Sequence, residues 1–157
     1  MCATTRPLSQ SPDDVPRGPG RLSRSSPPGP RPPEERAAAG RDAESLVCDH
    51  VEKEGMRVVA RNFRGRGGEI DIVAWEGDVL VFVEVRFREE GTHGAPEETV
   101  TPAKRRRIVS AARAYLSTIS PADWKEARFD VAAVEGSGDA AVIRYYRNAF
   151  DAKGKIL

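Results

Sequence analysis

Cysteine, histidine and long apolar runs are all scarce in this chain. Two cysteines, Cys2 and Cys48, and two histidines in 157 residues exclude a disulfide framework and offer no zinc-ligand spacing, which fits a reducing compartment. No apolar stretch approaches the roughly 20 residues that a membrane-spanning helix needs, so no membrane partner is expected. The opening residues, MCATTRPLSQ, lack the apolar stretch of a secretory signal, and the expected location is cytoplasmic. An excess of one charge is missing too: 25 lysines and arginines stand against 24 acids, a formal net charge of +1. That balance provides no chain-wide attraction to nucleic acid, so any basic surface must be local. The length fits one domain of ordinary size.

What is present is unevenly distributed. Nine of the 12 prolines fall in residues 1–39, together with six arginines, four acids and few aliphatic side chains. Such a segment buries too little apolar surface to offset the entropy of ordering it. Residues 1–39 are therefore set apart as a Pro- and Arg-rich leader, with disorder expected through residue 33, and 40–157 as the folded domain. Ala43, Val47, His50, Val51 and Glu54 follow helical spacing and predict a helix over 35–54, stopped by Gly55. A short strand over 56–62 and a break at Gly65–Gly68 come next. Residues 69–75, EIDIVAW, alternate polar and apolar as a half-buried strand does. The nearly continuous apolar run from Val79 to Arg86 predicts a strand covered on both faces.

After a polar loop over 88–100, Thr101 as N-cap and Pro102 at the first helical position open a second helix. Its apolar face is Ile108, Ala111, Ala112, Tyr115, Leu116 and Ile119. Two further strands are predicted at 129–134 and 140–146. The order αβββαββ predicts an α/β domain, a mixed central sheet flanked by helices.

Glu84 carries the most chemical information. A carboxylate inside LVFVEV is strongly destabilising unless it meets a cation, binds a metal or takes a proton. A buried ion pair with an arginine and a functional carboxylate are equally open readings. If Gly77-Asp78 is a two-residue hairpin loop, Glu76 faces Val79 and, counting back along both strands, Asp71 faces Glu84. Opposed side chains of this kind have Cβ atoms about 5 Å apart, close enough for two carboxylates to share a cation or a proton. Alternation puts Arg86 on the same face as Glu84. Mg²⁺ prefers such carboxylate oxygens with waters completing its shell. Lys104, one turn before Ile108, projects from the core-facing side of the second helix. With free N–H groups of that helix start it reads as a phosphate contact, while for Arg105, Arg106 and Arg107 a phosphate role and a solvated face stay equally open. His50, His93 and Asp130 read as structural or loop residues, and no phosphate-binding glycine loop or Ser-His-Asp set is present.

These residues carry a resemblance. Gly68-Glu69-Ile70-Asp71-Ile72-Val73, a turn, then Val81-Phe82-Val83-Glu84-Val85-Arg86 resembles the PD-(D/E)XK pattern of restriction-endonuclease-like nucleases. More closely, the chain from Gly40 to about Phe150 resembles the YraN family of bacterial endonuclease-like proteins, which are similar to archaeal Holliday-junction resolvases. Shared features include Glu44 in the first helix, Asn62-Phe63-Arg64, Lys104, Arg128-Phe129-Asp130 and Asn148-Ala149-Phe150. The resemblance implies a restriction-endonuclease-like core and hydrolysis of nucleic acid, DNA foremost, by a structure-specific endonuclease using Mg²⁺ or Mn²⁺. It implies Asp71 and Glu84 as metal carboxylates and Glu44 as a further ligand, while the charge run itself puts Lys104, Arg105 and Arg106 forward as nucleic-acid contacts. Arg86 stands where the pattern usually has lysine. Arginine keeps the charge but cannot act as a base near neutral pH, so its catalytic role becomes electrostatic and Lys104 compensates. A nucleic-acid-binding protein of the same fold with little or no cleavage is the alternative reading, and an interaction domain using the sheet edge is a third. The oligomeric state is left open, a homodimer included.

Overall fold

The computed structural model describes residues 32–88, 100–136 and 138–157. The leader through residue 31 and residues 89–99, His93 among them, lie outside the described residues. Helix α1 (Pro33–Lys53) opens with proline and with Glu34 and Glu35 in its first turn, and closes with His50 and Lys53 in its last, each on the favourable side of the helix dipole. Gly55, at φ +88°, turns the chain out of the helix. Residues 33–39, placed in the leader by composition, are thus the opening turns of α1.

Strands β1 (Arg57–Gly65), β2 (Gly68–Glu76) and β3 (Val79–Arg88) form an antiparallel meander. Helix α2 (Pro102–Leu116) then crosses over to β4 (Glu126–Glu135), which pairs parallel to β3, and β5 (Val142–Phe150) returns antiparallel beside β4. The sheet order is β1-β2-β3-β4-β5, a mixed five-stranded sheet. A parallel pair needs a crossover, and α2 supplies it. Thr101 caps α2 as its side-chain oxygen accepts from the Lys104 N–H at 3.2 Å, with Pro102 in the first turn.

Each helix buries one face of the sheet. Ala43, Val47 and Val51, spaced four apart on α1, pack with Ile72, Ala74, Val81, Val83, Ala132 and Val134. Ile108, Ala111 and Ala112 of α2 pack on the other face with Val73, Leu80, Phe82 and Phe129. Strand β3 is covered on both sides, as its continuous apolar run predicts. Phe82, Phe129 and Phe150 stack in sequence, with ring centroids 5.6 and 5.0 Å apart. Strand β1 outlasts its predicted end because Arg61, Asn62 and Arg64 leave no apolar pattern to follow, and β5 outlasts its own through Arg147 and Asn148.

Asp130 ties β4 to β5. It is fully buried and accepts from the Arg128 guanidinium, the Tyr145 hydroxyl at 2.8 Å and the Asn148 N–H at 2.7 Å. Arg128 continues the network to Glu76 at 2.7 Å. Asn148 reaches Asp130 from a left-handed backbone conformation, φ 53°, at an irregularity in the β4–β5 register. The structural role expected for Asp130 is what the fold displays. Removing one member of such a buried charged network leaves the others unpaired. Asp130→Ala is expected to lower unfolding stability by about 3–5 kcal/mol. Cutting the exposed Arg144–Glu135 pair with Arg144→Ala should cost no more than about 1 kcal/mol. Urea denaturation of the two variants compares them directly, and equal losses would reduce Asp130 to an ordinary surface-grade contact.

Candidate functional site

The two-residue Gly77-Asp78 turn, with Gly77 at φ +61°, sets the β2–β3 register as expected: Glu76 faces Val79, Trp75 faces Leu80 and Ile72 faces Val83. The next step along both strands brings Asp71 to Glu84. The β2–β3 ladder stops at Ile72 and Val83, whereas β1–β2 pairing runs on to Gly65 and Gly68. Beyond that point β2 stays with β1 and leaves β3. The freed Val85 N–H donates to Asp71 Oδ2 at 2.8 Å, so a side chain takes over where the backbone ladder ends.

Glu84 is 2% exposed. Its Oε1 lies 3.7 Å from Arg86 and its Oε2 lies 3.3 Å from Lys104 Nζ, but the latter geometry forms no hydrogen bond and Oε2 is left without a partner. Burial pushes the Glu84 carboxyl up to about 8, the Asp71 charge adds to the rise, and Lys104 and Arg86 hold it back. Asp71 is also raised, first by burial and further by Glu44 and Glu69, while the Val85 N–H and Lys104 act in the opposite direction. The structure therefore brings Asp71, Glu84, Arg86 and Lys104 together, as the alternation and helix spacing predict.

Glu44, from α1, accepts from Asn62 Nδ2 at 2.8 Å. Asn62 falls between the pairs Arg61–Ile72 and Phe63–Ile70, opposite Asp71, and adopts φ 51°. One row thus crosses three strands, Asn62 to Asp71 to Glu84, with Glu44 fastened to its outer end. Asn62 entered the sequence reading merely as part of a family string; its signal was an asparagine, tolerant of left-handed backbone, at the start of an irregular strand end.

The cationic run divides. Lys104 faces Glu84, and Arg107, one turn later on the same side, is exposed. Arg106 is exposed as well. Arg105 departs from its expected place at a nucleic-acid surface. It is 8% exposed, and its guanidinium donates to the carbonyl oxygens of Val100 and Gly154, clamping the segment after β5 against the start of α2.

Among the described residues, no three His, Cys, Asp or Glu side chains form a metal-ligand group. The fit to a divalent cation rests instead on two carboxylates, Asp71 and Glu84, with Glu84 Oε2 buried and without a hydrogen bond beyond its ion pair to Lys104. Such oxygens suit Mg²⁺ or Mn²⁺, which complete their shells with water or phosphate oxygens.

Because the folded-state value for Glu84 lies above its free value of 4.5, this group favours folding when protonated. Its contribution is full below about pH 4.5 and is lost as pH rises through about 8. Glu84→Gln should remove that slope in metal-free protein and gain about 1–3 kcal/mol near its alkaline end. Melting curves in EDTA between about pH 5 and 9 read this out. A lower melting temperature throughout would mean that the ion pairs to Lys104 and Arg86 outweigh the cost of burial. Arg105→Ala should destabilise by about 1–3 kcal/mol and speed amide exchange at Lys153 and Lys155, whereas Arg106→Ala should stay within about 0.5 kcal/mol of wild type. Indistinguishable exchange in the two variants would refute the clamp.

Residues 43–134 match the uncharacterised protein family UPF0102. The chain is similar to a UPF0102 protein of Anaeromyxobacter dehalogenans, 42% identical over 76% of this chain and 89% of the relative. Similar UPF0102 proteins occur in Chromohalobacter salexigens, 44% identical over 72% of this chain and 90% of the relative, and in Nitrosococcus oceani, 39% identical over 71% and 90%. No helix among the described residues is long and apolar enough to cross a membrane. With the Asp71–Glu84 hairpin, Glu44 on α1 and Lys104 on α2 inside or beside the matched span, the chain belongs to the family UPF0102, the YraN family.

Proposed function

We propose that the protein is a nuclease dependent on Mg²⁺ or Mn²⁺, hydrolysing phosphodiester bonds of nucleic acid, DNA foremost, on a restriction-endonuclease-like core. One observation carries the reading: a buried carboxylate oxygen, Glu84 Oε2, is met by one ammonium, Lys104 Nζ at 3.3 Å, with no well-formed hydrogen bond, and shares its surroundings with the Asp71 carboxylate. A buried carboxylate beside a second one, with one ammonium near both, remains costly unless a proton or a further cation completes the surroundings. The antiparallel β1–β3 meander joined through α2 to a parallel β4 supports the fold assignment. Asp71 and Glu84 would hold the ion, and Glu44, which accepts from Asn62 at the end of the same row, would contribute only through water. Bound there, the ion supplies charge against the phosphate and lowers the pKa of water. Arg86, with its side chain 41% exposed, reaches from the Glu84 face toward solvent and can hold a phosphate oxygen, but it cannot accept a proton. Lys104 is set to neutralise the charge that develops on the phosphate.

A second reading, nucleic-acid binding without efficient cleavage, is favoured by two features. Position 86 holds arginine, and the described residues include no three-ligand metal group. Labelled linear and branched DNA, incubated with Mg²⁺ or Mn²⁺, separates the two. Under the nuclease reading Asp71→Ala loses both metal binding and cleavage, while Arg86→Ala keeps metal binding and loses at least about 100-fold in rate. Wild-type metal affinity in Asp71→Ala would eliminate the nuclease reading, and DNA bound but uncut by the wild type with Mn²⁺ would favour the second.

A further inference from the structure

A cleft of about 470 Å³ opens between the β1–β2 turn and the first turns of α2. Its walls carry three cations, Arg64, Lys104 and Arg107, and one acid, Glu69, and its floor is glycine backbone. The floor is held close to α2: a Cβ on Gly68 would collide with the Arg107 carbonyl, and Ser110 Oγ donates to the Arg66 carbonyl at 2.8 Å. Lys104 belongs both to this cleft and to the Glu84 ion pair, so the cleft adjoins the carboxylate site.

The ion pairs within the cleft are loose. Glu69 Oε1 is 3.7 Å from Lys104 Nζ, and its Oε2 is 3.8 Å from Arg64 Nε. Charge-assisted hydrogen bonds are shorter, about 2.7–2.9 Å. Both Arg64 and Glu69 are largely exposed there, at 84% and 52%, and such pairs are weak. Arg107 has no carboxylate partner among the described residues. A carboxylate with two oxygens spans two cations loosely, whereas a phosphate presents more oxygens in the geometry that guanidinium groups grip.

We propose that this cleft seats a backbone phosphate of a nucleic-acid strand beside the one addressed by Asp71 and Glu84. Arg64, Lys104 and Arg107 hold it, and Glu69 occupies its place until the strand arrives. The inference rests on the nucleic-acid reading above and adds a second phosphate contact to it. None of the cleft's lining residues is aromatic, so bases find no stacking surface and the grip is independent of sequence.

The test is fluorescence anisotropy with a fluorescein-labelled, mixed-sequence oligonucleotide in EDTA, where binding is read without cleavage. Arg107→Gln should weaken binding about five- to tenfold and reduce the salt slope by about 0.7. Glu69→Gln should act in the opposite direction and tighten binding about two- to fivefold, because it removes the competitor. Arg113→Gln, exposed on the same helix and outside the cleft, should bind within about twofold of wild type. Equal losses in Arg107→Gln and Arg113→Gln would show a diffuse basic surface and overturn the seat. So would unchanged or weaker binding in Glu69→Gln, no binding by the wild type, or competition by polyglutamate as strong as that by unlabelled oligonucleotide. Cleavage with Mn²⁺ that ignores Arg107→Gln would remove the seat and keep the nuclease. The predicted binding pattern in a protein that cuts nothing would keep the seat and remove hydrolysis.

Discussion

Glu84 is carried into the interior by a strand whose two faces are both covered. Leu80, Val81, Phe82 and Val83 are each almost fully buried, and the carboxylate that follows them is itself 2% exposed. A charge held there must be answered locally, and the surrounding elements are arranged around that requirement. Strand β2 parts from β3 one step short of it, α2 delivers an ammonium to one oxygen, and Arg86 approaches the other. The answer is incomplete, because Oε2 still lacks a hydrogen bond and the carboxyl is pushed up to about 8. Proton and ammonium are therefore competitors for the same buried oxygen, and under the proposed function a divalent ion would be a third.

The hairpin part of this arrangement was legible because short-range rules determine it. A two-residue Gly-Asp turn leaves one register, alternation then assigns faces, and Asp71, Glu84 and Arg86 follow by counting. Lys104 was legible for a similar reason: Thr101 and Pro102 mark the helix start, and Ile108 marks the buried face. The misplaced residue was Arg105. Four successive cations cover all sides of a helix, and nothing local indicates that one of them meets a carbonyl 49 residues later. Asn62 and Glu69 were missed as contributors for the related reason that their partners lie on other elements. Glu44 was reached through resemblance, since its contact with Asn62 spans 18 residues and has no periodic signature.

The glycine turn and the charge run, which composition treats as unrelated features, meet in space. The close approach of Gly68 to α2 turns a breaker between two strands into the floor of a cationic cleft, and Glu69 places an anion at its mouth. The near-zero net charge of the chain is thus compatible with a strongly local field, because many of its acids are paired elsewhere, as Glu76 is with Arg128 and Arg147.

The span that matches the family ends at residue 134, inside β4, but the molecule's ties do not. Asp130, within the span, depends on Tyr145 and the Asn148 N–H beyond it, and Arg105 depends on the carbonyl of Gly154. The helix that presents Lys104 is therefore anchored in part by residues that follow the last strand. The recognisable sequence signature and the autonomous folding unit are different lengths of chain, and a fragment cut to the signature would keep the carboxylates while losing what holds their cationic neighbour in place.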